Sequence, residues 1–174
     1  GFVELNIRKR QDGKEYFALM YAGPIRSAGG TAGAVSVVLA DYLRKSFGFE
    51  AYDPTEKEIR RMVTELYDYH ERITNLQYLP SQKEIRFLVE NLPVQIDGDA
   101  SEEIEVSNYK DIERIESNRI RSGPCLVLGE CVAQKAVKVW SQLKKWGNDF
   151  NLNNWEFLQE FAHIQKEAKA KEKF

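Results

Sequence analysis

The chain has 174 residues, of which 43% are hydrophobic and 30% charged, with a net charge of −2 and a mean hydropathy of −0.51. That length suits one domain, or one and a half, and is enough to bury a core. No apolar run approaches the ~20 residues needed to cross a bilayer, no secretory leader is recognisable, and the overall charge announces no nucleic acid. Gly1 is not a natural start, so the sequence reads as processed, tagged or cut from something longer.

In chain order, Phe2 to Arg10 alternates apolar and polar residues, the period of a half-buried strand. Asp12-Gly13 signals a hairpin turn, and Tyr16 to Tyr21 reads as the returning strand. Four glycines then fall between Gly23 and Gly33. The helix that follows is expected to present Val35, Val38, Leu39, Tyr42 and Leu43 on one face, with Gly48 as its C-cap. Asp53-Pro54-Thr55-Glu56 opens a second helix, capped either by Asp53 or, through an overlapping capping box with Glu58, by Thr55. Ile59, Met62, Val63, Leu66, His70 and Ile73 share one face of it. Ser81 and Glu84 form another capping box, ahead of a short helix carrying Ile85, Leu88, Val89 and Leu92 and stopped by Pro93.

Val94 to Gly98 and Glu103 to Ser107 alternate and read as two short strands; residues 108–117 fit no period well. Pro124 to Trp146 is the longest helical stretch, with Leu128, Val132, Ala136, Val139, Leu143 and Trp146 in one apolar stripe flanked by Lys135, Lys138 and Lys145. After a loop over residues 147–154, Trp155, Leu158, Phe161, Ala162 and Gln165 suggest a closing helix. The expected fold is α+β: a hairpin plus a second strand pair in one mainly antiparallel sheet, with helices packed on one face. Residues 1–147 form the expected domain, and 148–174 a loop and C-terminal helix leading toward a further domain.

Charge is unevenly distributed. Asp97 to Glu116 holds eight acidic residues against two basic ones, and Ser117 to Gly147 six basic against one acidic, which implies an acidic and a basic face. Cys125 and Cys131 stand six residues apart on a helix, roughly 9 Å along its axis and too far for a disulfide. With His70 and His163 as the only histidines, no zinc spacing exists. These features point to a reducing, cytoplasmic compartment.

Three features bear on chemistry. A strand turning through glycines into a helix N-terminus points free N–H groups at one spot, where an anion is favoured. Gly29, Gly30 and Thr31, with Ser27 beside them and Arg26 as counter-charge, are therefore candidate phosphate contacts. The bland alternative is close packing, with glycines supplying positive φ. The turn is neither a Walker loop nor a dinucleotide fingerprint. Arg119-Ile-Arg121-Ser-Gly-Pro124 is a second arginine–glycine turn before a helix; strand-like alternation would aim both arginines the same way, with Lys135 and Lys138 extending a track for a phosphate backbone. Its alternative is pairing with the acidic segment. Glu103 and Glu105 read as guards of an edge strand more readily than as Mg²⁺ ligands. His70 has no nucleophile or carboxylate placed to complete a triad. Tyr67, Tyr69, Tyr78, Trp140, Trp146 and Trp155 could stack bases, but they recur at core spacing.

At Gly23-Pro-Ile-Arg-Ser-Ala-Gly-Gly-Thr-Ala32 the sequence resembles the large subunit of the archaeal family D DNA polymerase. Further blocks resemble it in the same order: Tyr69-His70, Leu76 to Ser81, Asn91 to Gly98, Glu105-Val-Ser107, Glu116 to Arg121, and Cys125 to Leu128 running to Ala136. The resemblance implies a fragment from the N-terminal third of that subunit, similar to its KH-like part and carrying no catalytic residue. It also implies that Mg²⁺ and structural zinc act outside this region, and that the partners are DNA, the remaining domains of the large subunit and the small exonuclease subunit. A free-standing phosphate-binding protein is the alternative; it needs a nucleophile or base beside the glycine turn.

Overall fold

In the computed structural model the chain forms three strands and six α-helices among the residues it describes, which are 1–172 apart from 24, 26–28 and 147, with the backbone alone at 146. Strands β1 (Phe2–Lys9) and β2 (Glu15–Tyr21) form the expected hairpin. At its turn the Gly13 N–H reaches the Arg10 carbonyl and Gly13 takes a φ of 84°, a conformation that glycine adopts without steric cost. Helix α1 (Gly30–Phe47) ends at Gly48 in the left-handed region, as expected of a C-cap. Helix α2 (Glu56–Arg72) starts at Thr55, whose side chain accepts from the Glu58 N–H, so the capping box and not Asp53 sets its beginning. Helix α3 (Gln82–Asn91) uses the same device through Ser81 and Glu84.

Strand β3 (Gln95–Asp97) adds to the sheet beside β2, and in parallel. The sheet is therefore mixed, ordered β1-β2-β3, and not mainly antiparallel. The expected second strand pair does not form: Glu103 to Ser107 contributes a single bridge, Glu105 to Arg119. The segment is held elsewhere: the Asp68 carboxylate takes the Ser107 N–H at 2.8 Å and the Ser107 hydroxyl at 3.0 Å. Beside that hold, the Val106 N–H donates to the Asn118 carbonyl at 2.8 Å and the Ile120 N–H to the Ile104 carbonyl at 2.9 Å, so the segment pairs with residues 118–120 and not with β3.

Residues 122–146 make one helical rod in three parts: α4 (Ser122–Leu126), a π-helical stretch (Val127–Ala133) and α5 (Gln134–Trp146). A 3₁₀ turn (Asn153–Glu156) leads into α6 (Phe157–Glu172). Leu128, Val132, Ala136, Val139 and Leu143 are buried as the stripe requires, and Trp155, Leu158 and Phe161 join the same core. Every residue from Tyr16 to Tyr21 is buried, so β2 is covered on both sides. Phe17 meets Phe49 with ring centroids 4.9 Å apart, while Tyr16 on the other side stacks on Tyr52 under the Arg114 guanidinium.

Only part of the apolar face of α1 is buried. Its buried residues are Ala34, Val37, Val38, Asp41 and Arg44, whereas Leu39 is 54% exposed and Tyr42 and Leu43 are also exposed. Trp155 explains which side is buried: its indole N–H donates to the buried Asp41 carboxylate at 2.7 Å, and Asp41 also binds Arg44. A polar anchor thus draws that side of α1 inward and turns an apolar stripe out.

Candidate functional site

The glycine turn serves two mechanical purposes in the fold. Gly23 and Gly29 have φ values of 75° and 83°, which favour glycine. Gly30 and Gly33 instead allow α1 to approach the π-helical stretch. A Cβ on Gly30 would lie 2.6 Å from the Glu130 carbonyl oxygen, and one on Gly33 would lie 2.5 Å from Cys131 Sγ. Arg26 and Ser27 lie outside the described residues.

Gly29 and Gly30 do line a polar recess of about 160 Å³, shared with Gln77, Glu130, Gln134 and Lys135. Thr31 sits in the first turn of α1, which has no acidic residue there and no side-chain cap. The N–H groups and Lys135 favour an anion, but the buried Glu130 carboxylate, which accepts from the Gln77 N–H at 2.9 Å, opposes one. Lys138 is exposed on the next turn of α5.

The second arginine turn is split by burial. Arg121 is 1% exposed. Its Nε and backbone N–H donate to Glu65 Oε2 at 3.1 and 2.8 Å, Nη2 donates to Glu65 Oε1 at 2.9 Å, and Nη1 pairs with Asp97. Asp97 in turn pairs with the part-buried Arg8 at 2.6 Å, and Glu65 with Arg61 at 2.9 Å, so four buried charged side chains and Arg8 form one chain. Burial works against the charge of Glu65, yet Arg121 and then Arg61 hold its carboxyl below the usual range. Arg119, by contrast, is partly exposed; Nε donates to the Glu102 carbonyl at 2.7 Å and Nη2 pairs with the outward-facing Glu103 at 3.2 Å. The two arginines share no surface, because Glu65 on α2 and Asp97 on β3 draw Arg121 inward, while Arg119 lies against Glu102 and Glu103 at the surface.

The same logic holds the rest of that segment. Arg61 reaches the Ser117 carbonyl at 2.6 Å, and Arg114 joins Asp53 at 2.7 Å and Glu58 at 2.8 Å. Glu58, Arg61, Glu65 and Asp68 are all buried on α2. Reading α2 by its apolar stripe alone misses them. The available signal is their own spacing of three, four and three, which is a core period written in charges.

Groups able to do covalent chemistry are occupied or masked. Burial pushes the Cys131 thiol up to about 11, and likewise raises the fully buried Cys125 thiol above its ordinary value. His70 Nδ1 accepts the Leu76 N–H at 2.9 Å and so fixes the chain leaving α2. Tyr69 and Trp155 are buried and Tyr67, Tyr78 and Trp140 half-buried in or against the core, while the Trp146 side chain lies outside the described residues. Among the described residues no group of three His, Cys, Asp or Glu side chains could hold a metal ion, and no helix is long and apolar enough to cross a membrane.

An open apolar groove lies between α1 and α5. Val139 and Leu143 form its floor, Leu39, Tyr42 and Phe150 its walls, and the space is about 140 Å³. Tyr42 and Phe150 meet edge to face at 5.9 Å.

Comparison with known proteins sets this geometry in context. Residues 1–164 match the family described as DNA polymerase II large subunit DP2, N-terminal. The chain is 55% identical over 171 residues to the DNA polymerase II large subunit of Nanoarchaeum equitans, covering 98% of this chain and 14% of that protein. It is 48% identical to the same subunit of Methanosarcina barkeri (91% and 13%) and 42% identical to that of Pyrococcus abyssi (98% and 12%). The chain thus spans about one-seventh of the length of the relatives it matches. With nearly its whole length matched, the chain belongs to the family of the N-terminal region of the archaeal DNA polymerase II (family D) large subunit DP2.

Proposed function

We propose that this chain is a non-catalytic region of the large subunit of an archaeal replicative DNA polymerase, and that it supports template-directed DNA synthesis by docking the catalytic core. In this reading the nucleotidyl transfer, its Mg²⁺ and the structural zinc belong to other parts of the subunit. The remaining domains and the small exonuclease subunit are its surroundings, in the cytoplasm. One contrast carries the reading. The guanidinium of Arg121 is spent inside the fold and that of Arg119 on Glu102 and Glu103, while apolar side chains of α1 stand in solvent. A surface built to grip a phosphate backbone keeps its arginines free, and a surface built to meet protein exposes apolar area.

A second reading, contact with the DNA backbone, is favoured by the recess where the α1 N-terminus and Lys135 converge, with Lys138 one turn away. KH-style clamping of a single strand gains less support. The Gly30-x-x-Gly33 spacing falls inside the first turn of α1, against Glu130 and Cys131.

Fluorescence anisotropy with primer–template DNA separates the two. If docking is the role, the isolated chain binds weakly, and Arg119→Ala or Lys138→Ala changes affinity less than about twofold. Submicromolar binding that falls steeply with salt and is lost on Lys135→Ala or Lys138→Ala would overturn docking in favour of backbone contact.

A further inference from the structure

The docking reading leaves open which face meets the rest of the enzyme, and what that face recognises. Resting on that reading, we propose that the α1–α5 groove seats an acidic amphipathic helix from the part of the large subunit outside these residues. Two properties of the groove select this occupant. Its surface is aliphatic at the floor, with Val139 and Leu143, and apolar at the walls, with Leu39, Tyr42 and Phe150 exposed or half-exposed. Such a trough takes the side chains that a helix presents at every third or fourth position.

The rim supplies the charge rule. Within α1 and α5 Asp41 is the sole acidic residue, and it is buried against Arg44 and Trp155. Lys138 and Lys145 flank Gln142 on the exposed side of α5 at helical spacing, and Lys135 stands near the head of α1. An apolar floor with a basic rim complements a helix whose apolar stripe is bordered by Asp and Glu. Single-stranded DNA would also meet the lysines, but it needs aromatic platforms for successive bases, and here two rings are already packed against each other in an otherwise aliphatic trough. The source follows from coverage: the chain accounts for 12 to 16% of its relatives' length, so most of the subunit is available as partner.

The test is site-specific photo-crosslinking in the full-length large subunit, with benzoylphenylalanine in place of Leu39 and, separately, in place of the exposed Glu103 as a reference position. Leu39 is 54% exposed, so the replacement leaves the core intact. The expected product is an intramolecular crosslink from position 39 to a helix of the same subunit that is rich in Asp and Glu. Lys138→Glu with Lys145→Glu should lower its yield roughly threefold to tenfold at low salt, with the difference shrinking as salt rises. A crosslink from 39 to DNA, to a second copy or to another subunit overturns the proposed occupant. Crosslinks from 103 but not from 39 overturn the groove and leave docking standing. Silence at both positions, with binding to primer–template DNA by the chain alone, overturns docking itself.

Discussion

Residues 98–121 and the α1–α5 pair treat side chains in opposite ways. The first segment has almost no regular secondary structure, yet it sends Arg114 and Arg121 inward and keeps them there with Asp53, Glu58, Glu65 and Asp97. The second is built from long regular helices, yet it leaves Leu39, Tyr42, Leu43, Phe47 and Val137 in solvent. Regular backbone satisfies its own hydrogen bonds and frees side chains for contact with something else; irregular backbone needs side chains to satisfy it. The contrast explains why a charge-rich part of the sequence is structural while the ordinary-looking helices carry the available surface.

Substitutions can break this contrast, and the largest effect is expected at Arg121. Arg121→Met leaves Glu65 and Asp97 buried without their shared partner and should destabilise the chain by about 3–5 kcal/mol in urea denaturation. Gly33→Ala is next. It forces α1 away from Cys131 at a cost of about 1–3 kcal/mol, and Cys131→Ala in the same chain should recover part of it.

Acid sharpens the comparison without a mutation. Glu65 titrates below its ordinary value of 4.5 in the folded chain, and Arg114 depresses Asp53 likewise against the opposing effect of burial. A carboxyl with a lowered folded pKa adds stability that is complete above its unfolded pKa and is lost as pH falls through the folded one. The urea midpoint should therefore hold between pH 5 and 7, to order of magnitude, and drop below about pH 4.5. Glu65→Gln should flatten that drop. At the small end stands the groove: Leu39→Ser should shift stability by less than about 0.5 kcal/mol, because the side chain is already in solvent. A large loss there would mean that the α1 face is part of the core after all.

The sequence made the hairpin, the capping boxes at Thr55 and Ser81, the Gly48 cap and the long apolar stripe legible, because each rests on local chemistry of a few residues. The second strand pair was not legible because Glu103 to Ser107 alternates as a strand does, while the partners that hold it, residues 118–120 and Asp68, lie outside the local sequence. Which side of α1 is buried was not legible for a similar reason. Its apolar residues are spread over more than half the helix circumference, and a single buried polar contact, Asp41 to Trp155, chooses which of them go inside. At the site, the glycines announced a special turn, but whether a glycine admits a ligand or a neighbouring helix is a question of what approaches it. At Gly30 and Gly33 the π-helical stretch approaches. Arg119 and Arg121 looked equivalent because alternation presumes a strand.

Heat changes the terms on which the Arg61–Glu65–Arg121–Asp97–Arg8 chain is held. Hydration of a charged group carries a strongly negative entropy, so water's claim on these five side chains weakens on warming while the gain from apolar burial levels off. What they give up by leaving solvent therefore shrinks with temperature, and their attraction for one another does not shrink in step. The irregular segment 98–121, which looks like the loosest part of the fold by secondary structure, is fastened by the interactions that fade least on heating.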